Sequence, residues 1–164
     1  MRIAILTVSD SRTPDNDSSG ALLQQRASDA GHVIADRQLL ADDRYQLRAL
    51  VSQWIADPEV DCVLVTGGTG ITGRDVTPEA LTPLFDKQID GFGECFRWLS
   101  YADIGSSTVQ SRAVAGLANA TLIFCLPGST GACELAWDQL LAQQLDATHK
   151  PCNFAQLLPR LREQ

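Results

Sequence analysis

Short apolar runs alternate along this chain with stripes of helical period, and that alternation predicts the fold class. Arg2–Val8, Cys62–Thr66 and Thr121–Leu126 are too short for helices and too continuously apolar for half-exposed strands, so they read as strands buried on both faces. His32–Leu40 is a fourth, more weakly patterned strand. Ser19–Ala30 reads as a helix with Gly31 as its left-handed cap. Asp43–Gln46 has capping-box spacing, and Leu47, Leu50, Val51, Trp54 and Ile55 follow at 0, +3, +4, +7 and +8. That is one apolar stripe on a helix ending near Asp57-Pro58. Thr77-Pro78 starts another helix, with proline in its tolerated first position. Gly91–Ala102 is predicted helical, and Cys133, Ala136, Trp137, Leu140 and Leu141 repeat the stripe. The 105–120 stretch has no decisive pattern.

Strands alternating with helices predict an α/β domain whose parallel sheet is covered on both faces. Ligands in such folds sit beyond the carboxyl ends of the strands. Here those ends release Ser9–Ser19, Thr66–Asp75 and Pro127–Gly131, which are also the three stretches of oddest composition.

The length of 164 residues suits a single domain over 1–164, with no linker or repeat dividing it. Lys and Arg number 13 against 20 Asp and Glu, a net charge of −7, so nothing points to nucleic acid or anionic lipid. No apolar run approaches a membrane span, and the acids after Val8 argue against a signal peptide. Five cysteines form no CxxC, an odd count that predicts a reduced, cytoplasmic protein without a disulfide framework. Two histidines, His32 and His149, argue against a His-based zinc site.

The chemistry gathers in the loops. Thr66-Gly67-Gly68-Thr69-Gly70-Ile71-Thr72-Gly73-Arg74-Asp75 lies between a buried strand and a helix, and its glycines let backbone N–H groups approach an anion closely. The GxGxxG spacing is absent, which sets a Rossmann oxidoreductase aside. Gly68–Gly73 matches P-loop glycine spacing, but Arg74 and Asp75 stand where Lys and Ser/Thr are required. The bland alternative is a glycine-rich turn. Asp42, at the end of the His32–Leu40 strand, and Asp75, closing the glycine loop, both fall on the ligand-bearing edge. Two carboxylates beside a phosphate cradle would repel it unless a divalent cation lay between, as in magnesium-assisted nucleotidyl transfer. Each could instead be a helix N-cap.

Pro127-Gly128-Ser129-Thr130-Gly131 is a second loop able to offer N–H and hydroxyl groups, or an ordinary capped turn. Ser9, Asp10, Asp17, Ser19 and Gly20 form a polar loop at another strand end. The aromatics between Gly91 and Trp98 read as packing, and Gly91 and Gly93 imply that something approaches the backbone there. Ser111-Arg112 would place a cation near a ligand phosphate, or simply at the surface. With no GxSxG motif and only two histidines, covalent hydrolase chemistry is disfavoured.

Taken together, Ile5–Asp10, Val65–Gly70, Arg74–Ala80, Gly91–Glu94, Ser111-Arg112 and Pro127–Ser129 resemble the MoaB/MogA family of molybdenum cofactor biosynthesis proteins, in order along nearly the whole chain. The Gly105–Arg112 and Lys150–Phe154 stretches resemble its MoaB branch most. The resemblance implies a three-layer α/β/α sandwich with a mostly parallel sheet, assembled as a homo-oligomer (trimer or hexamer). It implies a molybdopterin adenylyltransferase: Mg-ATP plus molybdopterin gives adenylyl-molybdopterin and pyrophosphate. Asp42 and Asp75 would be the catalytic acids and magnesium ligands. Thr66, Gly67, Gly68, Thr69 and Gly70 would hold nucleotide phosphates. Ser9, Asp10, Ser111, Arg112, Pro127, Gly128 and Ser129 would belong to the pterin pocket. Other molybdenum cofactor biosynthesis proteins would be partners. Members of the MoaB branch can lack one or both acids, so a non-catalytic pterin-binding or scaffolding oligomer is the rival expectation. A magnesium-dependent nucleotide hydrolase is the third.

Overall fold

The computed structural model of the chain describes residues 1–161 and 163. The strands are β1 (Arg2–Val8), β2 (Val33–Leu40), β3 (Cys62–Thr66), β4 (Lys87–Gln88), β5 (Val114–Ala118) and β6 (Thr121–Leu126). The helices are α1 (Ser18–Asp29), α2 (Arg44–Ala56), α3 (Thr77–Leu81), α4 (Asp90–Ile104), α5 (Thr130–Ala136), α6 (Ala142–Gln144) and α7 (Phe154–Leu161). A π-turn over Trp137–Leu141 joins α5 to α6. The sheet order is β2-β1-β3-β6-β5-β4. β2, β1, β3 and β6 run parallel, while β5 and β4 are antiparallel additions at one edge.

Period-two alternation inside fully apolar strands makes the three layers. Ile3, Ile5, Leu64 and Phe124 point to the face covered by α1, α4 and the α5–α6 helix. Leu6, Val63, Val65, Ile123 and Cys125 point to the other face, covered by α2 and α3. β1 lies between β2 and β3, so the chain leaves it by α1 on one face and returns through α2 on the other. That reversal opens a crevice where β1 and β3 end side by side, the general ligand position in open α/β sheets.

Local expectations hold where local chemistry decides them. The Asp43 carboxylate accepts from the Tyr45 and Gln46 amides as the α2 cap, and Gly31 is left-handed with φ +81°. Gly93 meets the predicted close approach, because a Cβ there would sit 2.5 Å from the Ala113 carbonyl oxygen. Gly91 has open space instead. The undecided 105–120 stretch contains a 3₁₀ turn, Gly105–Gln110, and β5. β5 reverses into β6 through Asn119 and Ala120, both at positive φ. Phe92 and Phe96 pack as expected, but Trp98 is 77% exposed on the opposite side of α4. Among the described residues no helix is long and apolar enough to cross a membrane.

Asp17, at the start of α1, is a buried carboxylate with a full set of donors. It accepts from the Thr7 hydroxyl at 2.8 Å, the Arg37 guanidinium at 2.8 Å and the Gly20 amide at 3.0 Å. Burial alone would raise its pKa, but Arg37, Gly20 and Thr7 together hold it below the usual carboxylate range. A carboxyl held low in the folded state adds stability above its unfolded pKa and loses it as pH falls through the folded one. Asp17→Asn leaves Arg37 without its counter-charge and should cost about 2–3 kcal/mol at pH 7. The gap to the unmodified chain, read from denaturant midpoints, should close as pH falls below ~4.

Candidate functional site

The crevice is a cleft of about 740 Å³ at the carboxyl edge of the sheet. The loops after β1, β2, β3 and β6 converge there with the segment before β5, bringing Ser9, Asp10, Asp42, Thr66–Gly70, Asp75, Ser111 and Pro127–Ser129 to its lining. α4 and the following 3₁₀ turn close one side through Phe96, Ser100, Asp103, Ile104, Ser107 and Gln110. Arg112 is the one expected site residue outside that lining.

The glycine loop is built so that its carbonyls turn away from the cleft. The Gly67 carbonyl accepts from the Thr77 hydroxyl, and the Gly68 carbonyl from the Thr77 amide. Arg112 takes the next two: its own amide reaches the Thr69 carbonyl at 3.2 Å and its Nε reaches the Gly70 carbonyl at 2.7 Å. The same guanidinium donates to the Asp75 carbonyl and pairs with Glu79. Arg112 is therefore a clamp behind the loop, where a cation facing the pterin was expected. Within Thr66–Gly70, the Gly68 and Thr69 amides have no acceptor among the described residues, so they are open to an anion. Two other expected phosphate donors are engaged within the fold. The Gly67 amide donates to the Leu126 carbonyl, and the buried Thr66 hydroxyl to the Pro127 carbonyl.

Neither acid caps a helix. Asp43 caps α2, and the N-cap position of α3 is Val76, with no side-chain cap. The Asp75 carboxylate instead fastens the loop, accepting from the Thr72 hydroxyl at 2.6 Å and the Thr72 amide at 2.8 Å. The Thr72 hydroxyl, with the Thr72 and Gly70 amides, holds Asp75 below the usual carboxylate range despite partial burial. Asp42 is the opposite case. Burial and the negative charges of Asp10 and Asp75 push its pKa up, against the smaller opposing effects of the Arg74 charge and the Asp10 backbone amide. Both acids overhang glycine backbone: a Cβ on Gly68 would lie 2.7 Å from Asp42 Oδ1, and one on Gly70 would lie 2.7 Å from Asp75 Oδ2.

This arrangement suits a hard divalent cation. No three His, Cys, Asp or Glu side chains among the described residues gather tightly enough to hold a metal by themselves. Magnesium asks for less, one or two carboxylates with phosphate and water oxygens completing its octahedron. Asp42, partly buried and facing two like charges, is the group a cation would relieve most.

Two cations line the cleft that sequence reasoning did not place there. Arg12 donates to the Ser18 and Ser19 hydroxyls and to the Gly128 carbonyl, tying the β1 loop to the β6 loop. Arg74 makes a two-pronged pair with Asp10, at 2.7 and 2.8 Å. Position in a polar loop was the only signal for Arg12, and the P-loop mismatch the only one for Arg74. The Ser9 hydroxyl turns the β1 loop by accepting from the Ser11 and Arg12 amides, and the Ser129 hydroxyl caps α5 by accepting from the Ala132 amide.

The profile of a family described as "Probable molybdopterin binding domain" matches residues 4–147. Molybdenum cofactor biosynthesis protein B of Escherichia coli strain K12 is 57% identical over 153 residues, 93% of this chain and 90% of that protein. The protein of the same name from Bacillus subtilis strain 168 is 47% identical over 146 residues, 88% of this chain and 86% of its own. A crystal structure of a molybdenum cofactor biosynthesis protein B superposes with a TM-score of 0.89 at 40% identity, covering 99% of this chain and 96% of that one. The tungsten cofactor synthesizing protein MoaB of Pyrococcus furiosus gives 0.82 at 31% identity, covering 99% and 97%.

Proposed function

Since the chain belongs to the MoaB/MogA family of molybdenum cofactor biosynthesis proteins, we propose that it binds molybdopterin in this cleft and adenylylates it with Mg-ATP. The products are adenylyl-molybdopterin and pyrophosphate. The observation carrying this reading is the partly buried Asp42 carboxylate, opposed by Asp10 and Asp75, overhanging the Gly68 backbone beside the open Gly68 and Thr69 amides. A carboxylate disfavoured in its ionised form, next to a second acid and an anion cradle, has little use without a cation–phosphate ligand.

The reaction is an in-line attack by the terminal phosphate oxygen of molybdopterin on the α-phosphorus of ATP. A new P–O bond forms, the α–β bridging P–O bond breaks, and pyrophosphate leaves. The attacking group is already anionic near neutral pH, so the protein need supply no strong base. Its task is to bring two polyanions together in alignment. The Gly68 and Thr69 amides donate to the nucleotide phosphates. Asp42 and Asp75 would hold magnesium, which when bound would supply charge that offsets the repulsion between the substrates. Arg112 and Thr77 keep the loop carbonyls turned away, and Arg12 holds the Gly128–Ser129 turn that would border the pterin. Incubation with molybdopterin, Mg-ATP and pyrophosphatase tests the reading, because adenylylated pterin must accumulate. Pterin binding without product would favour the scaffold, and ATP turnover without pterin the hydrolase.

The reading includes self-association as a trimer or hexamer, with other molybdenum cofactor biosynthesis proteins as partners. Trp98 and Val109, at 77% and 79% exposure, lie with Tyr101 and Ile104 on the outer side of α4 and its following turn. Such a patch beside the cleft rim supports that reading. Trp98→Arg should shift the sedimenting species to monomer, while the far-ultraviolet dichroism of the fold stays unchanged.

A further inference from the structure

The cations bordering the cleft are fixed to very different degrees. Arg12 is three-quarters buried and held by two hydroxyls and a backbone carbonyl, with the buried Asp17 carboxylate 3.6 Å away. Arg112 is locked behind the glycine loop. Arg74 has a single partner residue, Asp10, and the pair is open to solvent, with side chains 66% and 42% exposed. Exposed ion pairs contribute little and are easily exchanged, whereas guanidinium–phosphate contacts are among the stronger charge-assisted bonds. The pair also spans the cleft mouth, joining the β1 loop to the glycine loop. Asp10 is anchored on its other side by the Asp42 amide, which donates to Oδ1 at 3.1 Å. The Asp10 carboxylate therefore stays beside Asp42 whatever Arg74 does.

We infer that Arg74 is an exchanging cation: it releases Asp10 to take a phosphate of the incoming nucleotide, leaving the Asp10 carboxylate beside Asp42 to strengthen cation binding there. The inference rests on the reading that a nucleotide phosphate enters this cleft. It makes Arg74 a nucleotide-binding residue and Asp10 its competitor, although Asp10 read from sequence as part of the pterin pocket. It also couples the two ligands. A nucleotide that captures Arg74 increases the negative charge around Asp42, so nucleotide and magnesium should each tighten the other's binding.

A double-mutant cycle on the full chain tests this, using ATP in EDTA as the probe and calorimetry as the readout. Asp10→Asn should tighten metal-free ATP binding about fivefold, because Arg74 loses its competitor. Arg74→Gln should weaken it at least tenfold. In the Arg74→Gln background the gain from Asp10→Asn should vanish to within twofold. Additive effects would mean that the two charges act only through the general field of the cleft, and would overturn the exchange. A loss of ATP binding in both single variants would mean a structural tie between loops, and would overturn it too. Arg74→Lys, which keeps the charge without the fork, should fall between the unmodified chain and Arg74→Gln. If the cycle couples but no adenylylated pterin is made, the exchange stands and the transfer reading fails. If transfer occurs with an additive cycle, the reverse holds. A chain that binds no ATP at all would sink both.

Discussion

Asp42→Asn is expected to lower adenylyl transfer by about a thousandfold, ~4 kcal/mol of barrier, while molybdopterin binding changes less than threefold. The same substitution should leave the fold as stable as before or slightly more so. Both expectations come from one feature, an Asp42 carboxylate whose ionised form is disfavoured by its surroundings. Burial and the charges of Asp10 and Asp75 already work against its ionised form, so an amide of the same shape relieves repulsion while its oxygen can still accept from the Asp10 amide. A carboxylate that costs the free protein something is best explained by what it holds when ligand is bound. Asp75→Asn should also abolish transfer, but less cleanly. Its carboxylate fastens the glycine loop through Thr72 and Gly70, so part of the loss would come from a loosened loop. The comparison is made with the pyrophosphatase-coupled assay beside a thermal melt. Undiminished turnover in Asp42→Asn would remove that residue from the mechanism, and a large drop in melting temperature would recast it as structural.

Sequence carried the fold wherever one local signal decided an element. β1, β3 and β6 are buried on both faces and so appear as unbroken apolar runs. The α2 cap and stripe are short-range features, and the structure reproduces them. β5 escaped because Val-Ala-Gly-Leu-Ala has neither bulk nor alternation. It is a strand because it pairs with β6, and Gly116 admits the Phe85 ring, which lies 2.3 Å from where a Cβ would be. β4 is two residues long, below any periodic signal. α7 gave no stripe long enough to read, though Phe154 and Leu158 pack against the α1–α4–α5 side. The site followed the same division. Positions that had to be glycine or acid stood out in composition, whereas Arg12, Arg74 and Arg112 differ only in their partners. Those partners lie up to 116 residues away, and no spacing rule reaches that far.

Gly67→Ala is expected to be the most damaging single-methyl change in the cleft, costing about 3 kcal/mol or more and lowering the melting temperature by roughly 6–12 °C. Gly67 has φ +107°, a region costly for any residue with a Cβ. Its Cβ would also lie 2.0 Å from the Val8 carbonyl oxygen, a backbone atom at the end of β1. Neither side can yield cheaply, because the Gly67 amide is bonded to Leu126 and its carbonyl to Thr77. The added methyl would push apart the very strand ends whose separation forms the crevice. Gly73→Ala, at the far end of the same loop, meets nothing within 4 Å and has no positive φ. It should be neutral or stabilising by up to ~1 kcal/mol through the unfolded chain. Equal melting temperatures for the two variants would show that the loop glycines serve flexibility alone. A large difference would show that the backbone at Gly67 has to pass against β1, and that this contact sets the width of the cleft.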